Sequence, residues 1–413
     1  MDIIYINFKK YSFVFVVLFT LIFFSSHTEA EETSTYAIKP FSNVGGFVHL
    51  NDERIGFATF MKGRTYQLVS EDETSYHVAF GNGFVYVDKN YAEKVESPKN
   101  LVLEKGEFTA IPKSRQIVLS HPKSKSAFLG YVNPSVRIPV IKEDKGYYEF
   151  NFGGTKGYIH KSNTNVDNGI PVLMYHHLMW DKALSDHANN NMTIEYMQFE
   201  EQMRYLKDNK WKTISMQQLD DWLSLQNNMP EKVVAITFDD GITSTVDLAY
   251  PLLKDMNFRA TSFVITGKIR QSAKYWIASD LQYVGLKEIK ATVDVYDYQH
   301  HSNDMHLYKS GAKSGMFTTE SYEAILQDIQ NGSAQLGKAF SNDIVRTKYL
   351  AYPFGHYNQI TIQAAQDAGM RLAFTTVTGN VKLKDSPYEL KRQGIAPYHS
   401  MGDFVKKLEG TYK

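Results

Sequence analysis

From Thr35 to about Val166, apolar and polar positions alternate in short runs separated by glycine, a pattern typical of β-strands. Residues 76–89 and 148–161 repeat one another at a constant offset of 72, each with two aromatic-rich runs around a glycine-bearing turn. The repeat predicts one hairpin in each of two small all-β modules, at 35–97 and 101–166. The polar, turn-rich run at 161–169 predicts the boundary to the next domain.

From residue 170 onward, apolar runs alternate with helical patterns. Apolar residues recur at helical spacing, and Ser215 with Gln218 predicts a capping box at the start of one helix. Repeated β-α units predict parallel strands covered by helices, and about seven such units favour a barrel over an open sheet. Strands are expected at 170–175, 233–237, 260–265, 292–299, 348–352 and 371–376. Helices are expected around Phe199–Met203–Leu206, Leu219–Leu223, Leu248–Leu253, 322–340 and Ala364–Ala368, with a kink at Pro251 in the third.

Candidate site residues lie just past the ends of three of these predicted strands. Asp239 and Asp240 follow the run at 233–237, His301 and His306 follow the run at 292–299, and 353–355 follows another. The carboxyl ends of barrel strands meet at one mouth, so these residues should converge there. One carboxylate can bind a metal while the other acts as a base, and two imidazoles with one carboxylate indicate an open, catalytic zinc site. The alternative for Asp239 and Asp240 is an ordinary strand-to-helix turn. The alternative for His301 and His306 is an exposed surface loop rich in histidine.

The amino-acid composition excludes several classes of function and of metal site. The 45 basic and 45 acidic side chains balance, so no basic field exists for nucleic acid or an anionic membrane. The chain has no cysteine, which excludes disulfides and a thiolate-bound metal. The 27 tyrosines and 25 phenylalanines would suit either stacking on sugar rings or a packed core.

The first thirty residues have the pattern of a secretory signal peptide. Lys9 and Lys10 precede an apolar run from Tyr11 to Phe24, and small residues lie near Ala30, where cleavage is expected. The apolar run is short for a bilayer span, so no stable membrane span is expected after cleavage; an uncleaved N-terminal anchor is the alternative. The mature protein is therefore predicted to be secreted, extracellular or associated with the cell wall.

Three motifs together resemble those of the polysaccharide deacetylase family (NodB homology, carbohydrate esterase family 4). They are TFDDG at 237–241, HSNDMH at 301–306 and AYPFG at 351–355. The VLMYH sequence at 172–176 and LAFTTVTG at 372–379 are most similar to the subgroup that deacetylates poly-N-acetylglucosamine. The resemblance covers about residues 170–404, and the second β module resembles bacterial SH3-like domains, which serve either as wall-binding tethers or as spacers.

The family resemblance implies an α/β fold with a distorted (β/α)7 barrel and hydrolysis of N-acetyl groups on amino sugars. Carried over by motif, Asp239 would be the general base. Asp240, His301 and His306 would hold Zn²⁺ or another divalent transition metal. The backbone N–H of Phe354 would face the developing oxyanion, as the equivalent group does in the family.

Three further residues, and the side chain of Phe354, receive roles from this comparison. Tyr352, Pro353 and the ring of Phe354 would line the sugar groove, although Tyr352 and Phe354 are also candidates for barrel core. His176, at the end of the first barrel strand, would contact substrate or donate a proton, or else would pack behind the metal ligands.

Two departures from the family pattern affect these expectations. Many members carry an arginine that orients the catalytic aspartate at the position of Ala351, so Asp239 is expected to be less well held here. The usual Leu-x-x-His element near the C-terminus is missing, and residues 390–395 occupy that region. His399 is then a candidate for contacting substrate or supplying the acid.

Three functions compete. The first is a secreted deacetylase, monomeric and metal-dependent, acting on peptidoglycan or a related N-acetylglucosamine polymer. The second is a catalytically weak or inactive relative that binds and stabilises the cell wall. The third is a metal amidase that cuts the amide between peptide and sugar.

Overall fold

The computed structural model describes residues 36–97, 104–184, 189–272, 275–277, 280–340 and 347–413. The predicted signal peptide at 1–30 lies outside these residues. None of the helices within these ranges is long and apolar enough to cross a lipid bilayer.

The N-terminal region is all-β, as expected. Its strands are β1 (Tyr36–Pro40), β2 (Val44–Leu50), β3 (Glu53–Phe60), β4 (Tyr66–Glu71), β5 (Ser75–Phe80), β6 (Gly83–Asp88), β7 (Ala92–Glu96), β8 (Phe108–Pro112), β9 (Gln116–Leu119), β10 (Phe128–Val132), β11 (Ile138–Val140), β12 (Lys142–Asp144), β13 (Tyr147–Phe152), β14 (Thr155–His160) and β15 (Thr164–Val166).

The predicted repeat is visible as two hairpins, β5–β6 and β13–β14, at corresponding positions. Each hairpin leads into a short 3₁₀ turn, Lys89–Tyr91 in the first copy and Lys161–Asn163 in the second. The two halves are not independent in packing. Strand β10 pairs with β3, and one hydrophobic cluster runs from Ile38 to Ile159. That each half is an SH3-like module remains a prediction.

The second part of the chain is an α/β barrel. Its strands are β16 (Val172–Tyr175), β17 (His177–Met179), β18 (Thr193–Glu195), β19 (Lys212–Thr213), β20 (Val233–Phe238), β21 (Ala260–Val264), β22 (Tyr296–His300), β23 (Tyr349–Ala351), β24 (Leu372–Thr378) and β25 (Leu390–Gly394). Its helices are α1 (Tyr196–Asp208), α2 (Met216–Leu223), α3 (Tyr250–Asp255), α4 (Leu286–Ala291), α5 (Tyr322–Ala339), α6 (Gln359–Asp367) and α7 (Met401–Leu408).

Seven parallel strands close the barrel in the order β16, β20, β21, β22, β23, β24, β25, with β25 returning to β16. The predicted (β/α)7 architecture is therefore confirmed. The strands have nearly continuous buried side chains, as expected when both faces of a parallel sheet are covered. Strand β25 is not among the strands predicted from the sequence.

Local signals set several element boundaries. Helix α2 begins with the predicted capping box, in which Ser215 and Gln218 bond reciprocally. Strand β22 begins later than predicted, because Thr292 ends α4 and accepts the N–H groups of Val295 and Tyr296 in a turn. Pro251 lies in the first turn of α3, directly after a wide π-type turn that accommodates its missing N–H donor.

Polar contacts join the β region to the barrel. The Asn228 side chain donates to the carbonyl oxygens of Phe80 and Phe84, at 3.0 and 2.9 Å. Arg137, which is ion-paired with Asp167 at 2.7 Å next to the domain boundary, also donates to the carbonyl oxygen of Pro230 in the second part of the chain. The β region is therefore anchored to the barrel by specific buried bonds.

Candidate active site

The site begins where β20 ends. The apolar strand delivers Asp239 into the interior, where it is 1% exposed, and the Asp239 N–H donates to the carbonyl oxygen of Tyr175. The backbone then turns sharply, since Asp240 has φ of 70° and Gly241 has φ of 71°. A Cβ on Gly241 would lie 2.6 Å from Val264, so the close turn requires glycine. Left-handed backbone at a non-glycine residue such as Asp240 is strained and typical of functional sites.

Arg392 of β25 holds the Asp239 carboxylate. Its two terminal nitrogens each donate to one carboxylate oxygen at 2.7 Å, and its Nε donates to the carbonyl oxygen of Thr375. Burial raises the pKa of Asp239, but the charge of Arg392 outweighs this and keeps the pKa below the usual range. The expectation that Asp239 would be poorly held, because position 351 is alanine, is therefore wrong. The orienting arginine comes from another strand.

Ala351 contributes to the site through its backbone. The Nδ1 of His301 lies 2.7 Å from the Ala351 carbonyl oxygen, which can only accept, so this nitrogen carries the proton. The Nε2 of His301 is then a lone-pair donor facing Asp240. Fixing the tautomer through the second ring nitrogen is a usual feature of metal-binding histidines.

The three predicted metal ligands lie together. The Oδ1 of Asp240 is 3.3 Å from the Nε2 of His301 and 3.4 Å from the Nε2 of His306. Ligand atoms of all three residues lie within 4.8 Å of one another.

The donor set fits a divalent cation. The buried Oδ1 of Asp240 has no hydrogen-bond partner within the described residues, although two imidazole nitrogens face it. Burial lowers the pKa of His306 to about 4, so this imidazole is neutral and able to act as a ligand. The pKa of His301 is raised because the nearby carboxylates outweigh its burial, which indicates that the cluster favours a positive charge.

Asp328 of α5 fixes the loop that carries His306. Its carboxylate accepts the N–H groups of Asn303 and Asp304, at 2.9 and 2.8 Å. The loop leaves β22 through Ser302, which has φ of 69°. Sequence reasoning missed Asp328, since its spacing from the histidines gives no hint of contact.

The turn after β23 presents the predicted oxyanion donor. Phe354 has φ of 59°, and the bonds that close the turn are donated by Gly355 and His356. Within the described chain, no hydrogen bond uses the Phe354 N–H. The Phe354 ring packs between His306 and Tyr308, with centroid distances of 4.2 and 4.5 Å.

The other predicted substrate residues differ in environment. Tyr352 is buried in a core cluster and its hydroxyl donates to the Tyr388 carbonyl oxygen, but the residue also borders the cavity, so its contact with substrate stays a prediction. Pro353 is also buried at the start of the turn. His399 borders the same cavity as Asp239, and its Nδ1 accepts the Ala396 N–H.

His176 also lies close to the Asp239 carboxylate. Its Nε2 is 3.9 Å from Oδ2 of Asp239. Its buried Nδ1 has no hydrogen-bond partner among the residues described. His176, Asp239, Asp240, His301, His306 and Phe354 all border one open cavity of about 580 Å³. A cavity of this size lies in the usual range of ligand-binding pockets.

Arg392 was not predicted from the sequence, although its place in the order of β-α units could have indicated it. It lies in the segment Leu390–Gly394, one unit after β24, where a seventh barrel strand is needed. A charged residue on the buried face of such a strand requires an ionic partner.

Comparisons with known proteins agree with this geometry. The family described as Polysaccharide deacetylase matches residues 226–373. The chain is 28% identical over 241 residues to YxkH of Bacillus subtilis (strain 168), whose name assigns it to the polysaccharide deacetylases; this covers 58% of the chain and 76% of the relative. It is 26% identical over 225 residues to the poly-beta-1,6-N-acetyl-D-glucosamine N-deacetylase of Staphylococcus aureus (strain MRSA252), covering 54% of the chain and 74% of the relative.

Among solved structures, the Streptococcus pyogenes deacetylase PplD in complex with acetate is similar, with a TM-score of 0.50 and 27% identity. The match covers 58% of this chain and 98% of PplD. The motifs, the seven-stranded barrel and these matches lead to one conclusion: the C-terminal domain of this chain belongs to the polysaccharide deacetylase family, the NodB-homology domains of carbohydrate esterase family 4.

Proposed function

We propose that the protein is a secreted, metal-dependent N-deacetylase that removes acetyl groups from N-acetylglucosamine-type residues of peptidoglycan or a related cell-surface glycan. One observation carries the proposal. An ionised, arginine-held carboxylate adjoins a three-residue group of metal-ligand character within one open cavity. This combination suits hydrolysis of an amide better than simple glycan binding.

The residues of the site have separate roles in the proposed reaction. A divalent transition metal, when bound by Asp240, His301 and His306, supplies Lewis acidity toward water and the acetamide carbonyl. Asp239 accepts a proton from the attacking water, while Arg392 keeps the carboxylate ionised and oriented. Zinc is the expected ion because the ligands are imidazole nitrogen and carboxylate oxygen.

Two groups on this chain serve the leaving amine and the oxyanion. The Phe354 N–H, directed by the strained turn, donates to the carbonyl oxygen as it becomes negative. His176 donates the proton to the departing amine, since its ring lies next to Asp239 at the cavity wall. His399 is the second candidate for this role.

The substrate class is supported by chemistry and by similarity. The Staphylococcus aureus relative is named for a poly-N-acetylglucosamine substrate. The pattern of residues 1–30 supports export, and the all-β region supports attachment to the wall. In that region the rings of His77 and Phe84 stack at 4.6 Å, with Tyr86 at their edge, a surface suited to sugar rings.

A wall-binding protein without turnover is the second candidate. The alanine at position 351 and the missing Leu-x-x-His element support it, and Arg392 removes the first of these arguments because it holds Asp239 in place of an arginine at position 351. A metal amidase that cuts the peptide from the sugar is the third.

One assay separates the three readings. Acetate release is measured from N-acetylglucosamine oligomers and from purified cell wall, with and without a chelator, for the wild type and Asp239→Asn. We expect chelator-sensitive acetate release that the substitution abolishes. Wall binding without acetate would instead support the second reading, and release of free peptide the third; either result would contradict the proposed deacetylase.

A further inference from the structure

Helix α7 places a lysine in the wall of the proposed active-site cavity. Lys407 is 2% exposed and borders the same cavity as Asp239 and His399. Its neighbour Lys406 has a side chain that is 60% exposed. The helix therefore directs one lysine into the solvent and the next into the cavity.

The Lys407 ammonium has no carboxylate in direct contact within the described residues, and the charge of Asp403 offsets only part of the effect of its burial. Within the described residues, no carboxylate forms an ion pair with its Nζ and no acceptor hydrogen-bonds to it. Its contact is the ring of Tyr412, whose centroid lies 3.6 Å from Nζ. The carboxylate of Asp403, one turn earlier, is bound by the N–H and hydroxyl of Ser400 at the start of the helix.

Burying an ammonium without a directly paired carboxylate is costly. Burial lowers the pKa of Lys407 to about 8, so the side chain is still mostly charged at neutral pH. The aromatic face of Tyr412 compensates only part of this cost, since cation–π contacts are worth about 1–2 kcal/mol. An anion entering the cavity would supply the missing partner.

The surroundings specify the kind of anion. The cavity is the one in which the N-acetylated sugar is proposed to react, and Tyr398 lies exposed at its edge beside His399. An ammonium next to aromatic rings suits a sugar that carries an acidic group.

We propose that Lys407 binds an anionic substituent, a carboxylate or a phosphate, on the glycan near the N-acetylated sugar, so that the enzyme prefers acidic glycans to neutral ones. The inference rests on the proposed function for its substrate. It adds that the preferred glycan is charged. A wall strand that carries lactyl groups or a polymer that carries phosphate is therefore favoured over neutral poly-N-acetylglucosamine.

The test compares three substrates of equal length. These are neutral N-acetylglucosamine oligomers, peptide-free wall strands that carry lactyl carboxylates, and phosphate-substituted oligomers. Acetate release is measured for the wild type, Lys407→Met and the control Lys406→Met.

We expect the wild type to prefer an acidic substrate, and Lys407→Met to lose about tenfold or more in kcat/KM on that substrate, mainly through KM. Activity on neutral oligomers should change by less than about twofold, and Lys406→Met should change neither. The substrate on which the loss occurs identifies carboxylate or phosphate. Equal losses on neutral and acidic substrates, or no loss on any, would overturn the inference.

A binding measurement keeps this test separate from the proposed function. Calorimetry with the same oligomers is carried out on Asp239→Asn, with and without Lys407→Met. Tighter binding of the acidic oligomer that disappears with Lys407→Met supports the inference even if no acetate is released. Equal affinity for acidic and neutral oligomers overturns it, whether or not acetate is released.

Discussion

Arg392 and Asp239 form a two-pronged ion pair in the barrel interior, with both N–O distances at 2.7 Å and both side chains at most 2% exposed. The pair joins the end of β20 to β25, the strand that closes the barrel. A planar guanidinium can hold both carboxylate oxygens at once, which a lysine cannot. The geometry of the proposed base therefore depends on a residue 153 positions away in sequence.

Replacing Arg392 should expose this dependence. Arg392→Lys keeps the charge but loses one of the two bonds, and we expect acetate release to fall by about 100-fold because the base is misplaced. Arg392→Met leaves Asp239 buried without a partner and should reduce the free energy of unfolding by about 3–5 kcal/mol.

The matched control is Arg371→Lys, because Arg371 also holds an aspartate, Asp220, but outside the cavity. Steady-state kinetics and denaturant unfolding report the two effects. Equal activity of Arg392→Lys and Arg371→Lys would contradict the role assigned to Arg392.

Metal binding should stabilise the fold. Saturation with Zn²⁺ at about 100 times its dissociation constant should add about 2.7 kcal/mol to the free energy of unfolding. Asp240→Ala and His306→Ala should lose this increment and the bound metal, whereas His356→Ala should keep both because its Nδ1 only accepts a backbone N–H. Elemental analysis and thermal melts with and without chelator provide the readout. Unchanged metal content in both ligand variants would show that the ligands are wrongly assigned.

His176 and His399 can be compared directly as proton donors. We expect His176→Gln to lower kcat by about 10²–10⁴-fold with metal content unchanged, since a general acid acts in the transition state. His399→Gln should have a smaller effect, because its Nδ1 already accepts the Ala396 N–H. Rapid-quench or steady-state acetate release with metal analysis distinguishes them. A larger loss in His399→Gln would reverse the assignment.

The stability of the protein should depend on pH through Lys407. Its pKa is about 8 in the folded protein and 10.5 in a free side chain. Between these values the unfolded chain binds the proton more strongly, so the stability of the wild type rises with pH across this window. Below pH 8 both states are protonated, and the full cost of burying the charge is present.

Lys407→Met should therefore be more stable than the wild type at pH 7, by about 1–3 kcal/mol, and this gap should narrow by pH 9.5. The other titratable groups facing Lys407, Asp403 and His399, do not change charge between pH 7 and pH 9.5, so they do not mask the pH dependence of stability. The pKa of Asp403 is lowered by its bonds to Ser400, so it stays ionised, and the pKa of His399 is lowered to about 4 by burial. Denaturant melts at both pH values, with Lys406→Met as control, provide the measurement. A gap that widens with pH would contradict this account of Lys407.

Local chemistry explains which features of the fold were predictable. The capping box of Ser215 and Gln218, and the buried face of Phe199, Met203 and Leu206, depend on neighbours within one or two turns. The ligand group was predictable because barrel strands end at one mouth, so residues after β20 and β22 had to meet.

The residues that were missed act over long distances. Whether Arg392 points inward depends on the closure of the barrel, which no local pattern specifies. Asp328 reaches the histidine loop only because α5 packs beside β22. The delayed start of β22 reflects competition, since the Thr292 hydroxyl bonds to the preceding helix instead of continuing an extended strand.

The most direct test is crystallographic. Crystals soaked in Zn²⁺ should show, in data collected at the zinc absorption edge, one strong anomalous peak per chain. We expect this peak at about 2.0–2.2 Å from Nε2 of His301, Nε2 of His306 and one carboxylate oxygen of Asp240, with Asp239 nearby but held by Arg392. A peak elsewhere, or none at this cluster, would contradict the proposal that these residues form a catalytic metal site.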